Sequence, residues 1–299
     1  MEYVEYKKKL SYQRKDKEIF LASIRGKYVI LYKYLSKESF DISKKTIIYH
    51  NELKKRWKYT PGVVFIDKDR MLVALEYLGV ETLRDSLDKY ERNSILLRTA
   101  IKIIEFNKLY NPNESLEKIL PKMDYYYFMK CISFFCEIFN VQWKDIDYLM
   151  NICEEISKLP RSLCHGDIHS ENIILLNKDI YFIDFDRLAI GNVFYDLSCL
   201  FNDPYYKWSY KEINVCLREV TKKFNKEFIK NFTRYYKKVN FIRNLYTLAT
   251  YIYIINNNSS EETKEKFKNH CNFILEKVLE DELLDEKLTK ILSKEVKNV

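Results

Sequence analysis

The hydrophobic positions of the first eighty residues fall in short runs separated by polar turns, a pattern typical of β-strands. The dipeptide Arg25-Gly26 lies between two such runs and predicts a hairpin turn. The polar segment 67–70 predicts a second turn. The strands expected from this pattern cover residues 4–12, 18–24, 27–34, 63–66 and 71–77.

The remaining pattern is mostly helical. A polar segment from about Lys44 to Trp57 is predicted to form a helix that ends before the breaker Thr60-Pro61-Gly62. From Thr82 to about Leu159, apolar residues recur at spacings of three and four, which predicts several helices. Two short strands are expected next, followed by helices to the end of the chain, and these segments cover 173–176, 180–183 and 195–299.

This order of elements indicates an α+β chain with two parts. We expect a small antiparallel-sheet lobe over residues 1–79 and a larger helical lobe over residues 80–299. A cleft between two such lobes is the natural place for a ligand.

Composition excludes several classes of protein. The net charge of the 299 residues is +8, but the lysines are spread along the chain, which favours a solvated surface over a nucleic-acid partner. No apolar run is long enough to span a membrane, and the start of the chain does not look like a signal peptide, so we expect a cytoplasmic protein. The seven cysteines show no metal-ligand spacing and are expected to be reduced, buried thiols.

Glycine is too rare for the common nucleotide-binding turns. The chain has five glycines, and their spacing matches neither the dinucleotide-binding fingerprint nor a P-loop. Both motifs need glycine where backbone amides approach phosphate. A Rossmann turn and a Walker P-loop are therefore not expected.

One segment carries candidate chemistry. His165-Gly166-Asp167 is followed five positions after the aspartate by Asn172, and Asp184 lies twelve positions further in the run 183–186, Ile-Asp-Phe-Asp. An aspartate can take the proton of an attacking hydroxyl, while an amide and a second carboxylate can hold magnesium. This spacing therefore indicates phosphoryl transfer, with Asp167 as the base and Asn172 and Asp184 as metal ligands.

These residues resemble the aminoglycoside phosphotransferase and choline kinase superfamily, which is related to protein kinases, and the resemblance is sharpest over residues 163–200. It implies a two-lobed protein-kinase-like fold, ATP and Mg²⁺ as cofactors, and phosphorylation of a hydroxyl of a small molecule. It also implies supporting roles for His165, which packs beneath the catalytic loop, and for Asp196, which braces that loop.

The resemblance implies further residues in the first lobe. A lysine on the third strand should pair with a glutamate on the following helix, and we assign these to Lys33 and Glu52, with Lys27 as the alternative lysine. Glu76 and Leu78 are expected at the hinge, where backbone groups meet adenine.

Two positions depart from the family pattern. The expected phosphate-covering loop, residues 11–17, lacks glycine, so Ser11, Gln13, Arg14 and Lys15 would have to cover phosphates by side chain. Asp186 stands where kinases carry glycine, and it is expected either to bind a second metal ion or to pair with Arg187. His169 is expected either to touch the transferring phosphate or to lie in solvent.

The acceptor is left open between aminoglycoside-, choline- and sugar-like molecules. Acidic and aromatic residues that follow the motif are candidates for its pocket, together with an aromatic helix: Asp203, Tyr205, Tyr206, Trp208 and residues 125–127. The alternative is a kinase-fold protein of the spore-coat-associated branch, with a structural or weak nucleotide-binding role in the spore coat. Protein kinase activity is disfavoured because no Ala-Pro-Glu segment follows Asp184. No oligomeric state is predicted.

Overall fold

The computed structural model describes residues 4–11, 16–79, 81–86, 89–112, 116–222, 226–258 and 260–295. Within them, an antiparallel sheet forms the N-terminal part and helices dominate the rest, which confirms the predicted α+β class. The strands are β1 (Glu5–Ser11), β2 (Lys17–Ile24), β3 (Lys27–Tyr34), β4 (Val63–Asp67), β5 (Leu72–Glu76), β6 (Ser162–Cys164), β7 (Ile173–Leu176), β8 (Asp179–Phe182) and β9 (Ala189–Gly191).

The first five strands form one sheet in the order β1-β2-β3-β5-β4, with every neighbouring pair antiparallel. The turn between β2 and β3 lies at Arg25 and Gly26, both with positive φ, as the hairpin prediction requires. In this register Lys17 lies opposite Tyr34, and Glu18 lies opposite Lys33. Because side chains alternate between the faces of a strand, Lys17 and Lys33 belong to opposite faces of the sheet.

The helices are α1 (Lys37–Arg56), α2 (Arg92–Asn107), α3 (Leu116–Ile119), α4 (Tyr125–Phe139), α5 (Asp147–Ser157), α6 (Val193–Phe201), α7 (Tyr210–Thr221), α8 (Lys226–Asn257), α9 (Glu261–Leu279) and α10 (Glu286–Glu295). Helix α1 begins seven residues earlier than predicted. The reason is a local cap, since the hydroxyl of Ser36 accepts a hydrogen bond from the backbone amide of Ser39 at 3.2 Å.

Helix α1 fastens the sheet to the helical part. The indole of Trp57, at its end, stacks on Phe182 of β8 with ring centroids 5.5 Å apart. The amide of Phe182 donates to the carbonyl of Tyr59 at 2.9 Å, and the amide of Leu83 donates to that of Ile173 at 2.7 Å. The hairpin β7–β8 is therefore held against the end of α1 and the segment after β5, and a cleft lies between the hairpin and the sheet.

Two further sequence expectations concern the interior and the membrane. All seven cysteines are buried and free, as predicted. No helix in the described part of the chain is long and apolar enough to cross a membrane. The division at residues 79 and 80 remains a proposal.

Candidate active site

A cavity of about 270 Å³ lies between the N-terminal sheet and the hairpin β7–β8. Ile19 and Ile30 line it from the sheet, and Ile174 and Ile183 line it from the hairpin side. Apolar walls from two layers form a slot that suits a flat apolar ring.

The chain leaves the sheet along one edge of this cavity, and both Glu76 and Leu78 line it. The Glu76 carboxylate accepts a hydrogen bond from the amide of Gly62 at 2.8 Å and lies 3.1 Å from Nζ of Lys54. The protein itself engages this side chain, so a ligand at this edge would meet backbone groups. Both predicted hinge residues thus lie at the cavity, and their role in binding stays a prediction.

The loop that carries Asp167 is held by a buried carboxylate on α6. Asp196 accepts hydrogen bonds from the amides of His165 and Gly166, both at 2.9 Å, and from Nδ2 of Asn107 at 3.0 Å. Burial raises the pKa of Asp196, and His165 and the two amide hydrogen bonds oppose the rise. These contacts provide the bracing that the resemblance implied.

His165 is fully buried beneath the loop. Its Nε2 lies 2.9 Å from the carbonyl oxygen of Ile183, and its Nδ1 lies 3.3 Å from the amide nitrogen of Asp167. A carbonyl only accepts and an amide only donates, so we place the ring proton on Nε2. Burial lowers the pKa of His165, which keeps the ring neutral. The ring therefore ties the Asp167 loop to the residue before Asp184.

Asp167 reaches the open side of the loop, with 37% of its side chain exposed. Burial would raise the pKa of this carboxyl, but nearby Arg187, His169 and His165 outweigh it and lower the pKa. The closest of these contacts joins Nε of Arg187 to Oδ2 of Asp167 at 3.8 Å. Asp167 is consequently ionised near neutral pH and able to accept a proton from a hydroxyl.

Asn172 and Asp184 both line the 270 Å³ cavity. Nδ2 of Asn172 donates to the carbonyl of Asp167 at 3.0 Å, which leaves the amide oxygen as the group available to a cation. Asp184 is held in the left-handed region, at φ 62° and ψ 64°, a conformation that is uncommon outside glycine and often found at functional sites. These two oxygen donors fit a hard divalent cation.

Asn172 and Asp184 would supply only part of the coordination shell of such a cation. In the described residues, no group of three or more His, Cys, Asp or Glu side chains is arranged to hold a metal ion. Magnesium usually keeps several waters and takes its remaining ligands from phosphates. The site therefore fits a metal that arrives with a phosphorylated ligand.

The structure corrects the predicted pair of Lys33 and Glu52. Lys33 is exposed on the outer face of the sheet, with its Nζ 3.9 Å from Glu18, and the exposed Glu52 contacts Lys55 at 2.7 Å. Tyr32, the neighbour of Lys33, lines the cavity instead. Lys27, the alternative, has the same strand parity as Lys33 and is also exposed.

The lysine on the cavity face is Lys17, at the start of β2. It is 1% exposed, its Nζ pairs with the carboxylate of Asp186, and the same atom lies 4.2 Å from the centroid of the Tyr32 ring. Asp186 thus pairs with Lys17, a partner that the sequence did not suggest, and its binding of a second metal ion stays a prediction. The register signal was present in the sequence, because a Glu18–Lys33 cross-strand pair turns Lys17 to the opposite face.

The predictions for the phosphate-covering loop and for His169 have different outcomes. Ser11 ends β1, while Gln13, Arg14 and Lys15 lie outside the described residues. His169 is half-buried rather than free in solvent, and its Nε2 accepts from Nδ2 of Asn172 at 3.0 Å. Its contact with the transferring phosphate stays a prediction.

Three of the acceptor candidates are held inside the protein by their own contacts. Asp203 is fully buried and accepts hydrogen bonds from the amides of Ser170 at 2.5 Å and Tyr205 at 2.9 Å. Tyr206 and Trp208 are buried and stack on each other with centroids 3.6 Å apart. Tyr127, from the aromatic helix α4, does line an open cavity beside Gly166.

Both the backbone conformation and the close packing at position 166 require glycine. Its φ is +82°, and a Cβ at this position would overlap the backbone oxygen of Arg187. We expect Gly166→Ala to lower the free energy of unfolding by about 2 to 5 kcal/mol, combining left-handed strain with overpacking. Urea denaturation followed by fluorescence measures this change.

Gly26→Ala is the matched control. Gly26 has φ +76°, but no atom lies within 4 Å of the position that a Cβ would take, so only strain of about 1 to 2 kcal/mol is expected. Equal losses in the two variants would contradict a close packing role for Gly166.

Comparisons with known proteins agree with this geometry. Residues 140–221, which include the Asp167 loop and Asp184, match the profile of a family described as phosphotransferase enzyme family. Compared by sequence alone, the chain matches no curated protein.

Solved structures share the fold of nearly the whole chain at low identity. An ADP-bound aminoglycoside phosphotransferase, APH(2'')-Ib, aligns with TM-score 0.62 and 15% identity over 91% of this chain and 94% of its own. An ethanolamine kinase of Plasmodium vivax aligns with TM-score 0.63 and 13% identity over 91% of this chain and 82% of its own. The choline kinase LicA of Streptococcus pneumoniae aligns with TM-score 0.60 and 14% identity over 92% of this chain and 93% of its own. Together, the family match and the shared fold confirm the predicted resemblance of the chain to the aminoglycoside phosphotransferase and choline kinase superfamily.

Proposed function

We propose that the protein is a phosphotransferase that moves the γ-phosphoryl group of Mg-ATP onto a hydroxyl of a small molecule. The observation that carries the proposal is that Asn172 and Asp184 line one apolar cavity while a hydrogen bond joins Asn172 to the backbone of Asp167. Structures of similar fold hold ADP, ATP or AMP, which supports nucleotide use by this chain.

In this proposal the 270 Å³ cavity takes the adenine ring. Ile19 and Ile30 would cover one face of the ring and Ile174 and Ile183 the other, while backbone groups near Leu78 bind its edge. The phosphates would then point toward Asp184, where Lys17 and Asp186 lie. Lys17 thus replaces Lys33 as the candidate for the cation that neutralises phosphate charge.

Magnesium, when bound, would neutralise charge on the phosphates, with Asn172 and Asp184 as its protein ligands. Asp167 would accept the proton of the attacking hydroxyl and orient its oxygen in line with the γ-phosphorus. His165 and Asp196 would hold this carboxylate in place through the loop backbone. Preorganisation of this kind supplies most of the catalysis in phosphoryl transfer.

Thermal denaturation with nucleotide tests the binding half of the proposal. Mg-ATP at a hundredfold excess over its Kd is expected to stabilise the protein by about 2.7 kcal/mol. Chelation of magnesium should remove most of this shift, and Asp184→Asn should do the same because it deletes a charged ligand.

Asp69→Asn, in the exposed turn before β5, is the charge-matched control and should keep the full shift. A wild-type protein that is not stabilised by millimolar Mg-ATP would argue for the alternative, a kinase-fold protein with a structural or weak nucleotide-binding role.

A further inference from the structure

A second cavity, of about 320 Å³, borders the catalytic loop and shares no lining residue with the 270 Å³ cavity. Gly166, the residue before Asp167, lies in its wall with Arg187, whose Nε is 3.8 Å from Oδ2 of Asp167, so this cavity adjoins the candidate base. Under the proposed function, a molecule held here would present its hydroxyl to Asp167. We call this space the acceptor cavity.

The charged side chains that line the acceptor cavity are cationic. They are Lys122 and Arg187, and none of its lining residues, all within the described ranges, is acidic. Arg187 is more than half exposed, and its ion pair with Asp167 spans 3.8 Å, longer than a hydrogen bond. Its guanidinium is therefore placed to donate to an incoming anion.

The sign of these two charges favours one class of acceptor. A cationic acceptor bound beside Arg187 and Lys122 would be repelled at close range, whereas an anionic one would be attracted.

The acids of the same neighbourhood are already engaged by the protein. Asp196 accepts three hydrogen bonds, and the buried Asp203 accepts two from backbone amides. Glu171 pairs with Arg84 and lies 3.8 Å from Nζ of Lys266. Apart from Asp167 itself, the carboxylates that a positively charged amine could meet near the loop are thus already in contact with the protein.

Aromatic hydroxyls complete the wall. Tyr127 and Tyr246 line the acceptor cavity, and the hydroxyl of Tyr127 lies 2.8 Å from that of Tyr195. Tyrosine rings pack against carbon skeletons while their hydroxyl groups hydrogen-bond to polar substituents. The lining thus suits a small polyhydroxylated molecule with a negative group at one end.

We infer that the acceptor carries a carboxylate or phosphate group, which Arg187 and Lys122 bind while a hydroxyl elsewhere on the molecule faces Asp167. This inference rests on the proposed function, because it assigns the substrate class of that site. The hydroxyl oxygen forms a bond to the γ-phosphorus, the bond from that phosphorus to the β–γ bridging oxygen breaks, and ADP leaves. The hydroxyl proton passes to Asp167.

The test uses a polar cell extract separated by ion exchange into anionic, neutral and cationic metabolites. Each fraction is incubated with the protein, Mg²⁺ and γ-labelled ATP, and label in small-molecule products is measured. Glucose, glucosamine, glucuronate and glucose 6-phosphate serve as a defined set that shares one sugar ring and differs in charge, so that carboxylate and phosphate are distinguished. We expect transfer to the anionic fraction.

A variant links this preference to the cavity. Arg187→Gln is expected to lower kcat/KM for the best anionic acceptor by at least about tenfold, the equivalent of one charge-assisted contact. Its ratio of anionic to neutral turnover should fall as well, which a purely structural defect would not cause. Lys122→Gln is the second variant, and Arg218→Gln, exposed on α7, is the charge-matched control.

The outcomes separate the two claims. Absence of Mg-ATP binding would contradict the proposed function itself. Binding of Mg-ATP with transfer only to neutral or cationic metabolites, or with no transfer to the anionic fraction, would overturn the inference and leave the nucleotide site standing. An unchanged charge ratio in both Arg187→Gln and Lys122→Gln would also overturn it.

Discussion

Replacing Asp167 with asparagine is expected to lower the rate of phosphoryl transfer by about 10² to 10⁴-fold, the usual contribution of a general base. The amide has nearly the same shape, so the hydrogen bond from the Asp167 amide to His165 and the loop geometry should survive. Nucleotide affinity should change little, because Asn172 and Asp184 carry the proposed metal contacts. Steady-state turnover and nucleotide titration measure the two effects separately.

Asp69→Asn provides the control for this loss, since it removes the same charge from an exposed turn. The pH profile gives a second check. Because the pKa of Asp167 is lowered, activity should persist as pH falls and decline only below the usual range for aspartate. Full activity in the Asp167 variant would mean that another group takes the proton.

Replacing Lys17 with methionine is expected to weaken ATP binding by about tenfold to a hundredfold, the range for one lost charge-assisted hydrogen bond. Lys17 is buried on the cavity face and pairs with Asp186, two residues from the proposed metal ligand Asp184. Methionine keeps most of the length of the side chain and removes its charge. Fluorescence or calorimetric titration with Mg-ATP measures the loss.

Lys33→Met is the matched control, because it makes the same change on the next strand. Lys33 lies on the outer face of the sheet. Among the ion pairs of the described residues, its ammonium group takes part in one, with the carboxylate of Glu18 at 3.9 Å. Affinity for ATP should therefore stay within about twofold, since exposed ion pairs contribute little. If Lys33→Met weakened binding more than Lys17→Met, the assignment of the phosphate-facing lysine to β2 would be wrong.

Lys17 and Lys33 show which features of the fold and the site the sequence could predict and which it could not. Alternation of apolar residues predicted the strands, and the acid and amide spacing located the loop from His165 to Asn172 because both signals are local. The face that each lysine occupies depends on the hairpin register, which joins residues far apart in sequence. A resemblance based on strand number placed the lysine on β3, where Tyr32 faces the cavity instead.

Short elements were missed for a related reason. Strands β6 and β9 have three residues each, too few for a periodic pattern, yet their pairing sets the two ends of the catalytic region side by side. The early start of α1 depended on one cap at Ser36. Asp203 was predicted for the acceptor pocket, but burial and two backbone amides give it a bracing role that composition does not reveal.

The residues that would bind the acceptor were harder still to predict from the sequence. Arg187 follows the motif directly, but only the fold brings it together with Lys122 and Tyr246 around one cavity. The motif therefore indicates how a phosphoryl group would move, whereas residues distant in sequence determine which molecule would receive it.

The most direct test of the central claim is the transfer of label from γ-labelled ATP to metabolites, compared between wild type and Asp167→Asn at saturating Mg-ATP. The proposed function predicts a labelled small-molecule product with the wild type, at least about a hundredfold less with the variant, and similar nucleotide affinity for both. Nucleotide binding with no labelled product, or equal labelling by the two proteins, would contradict it.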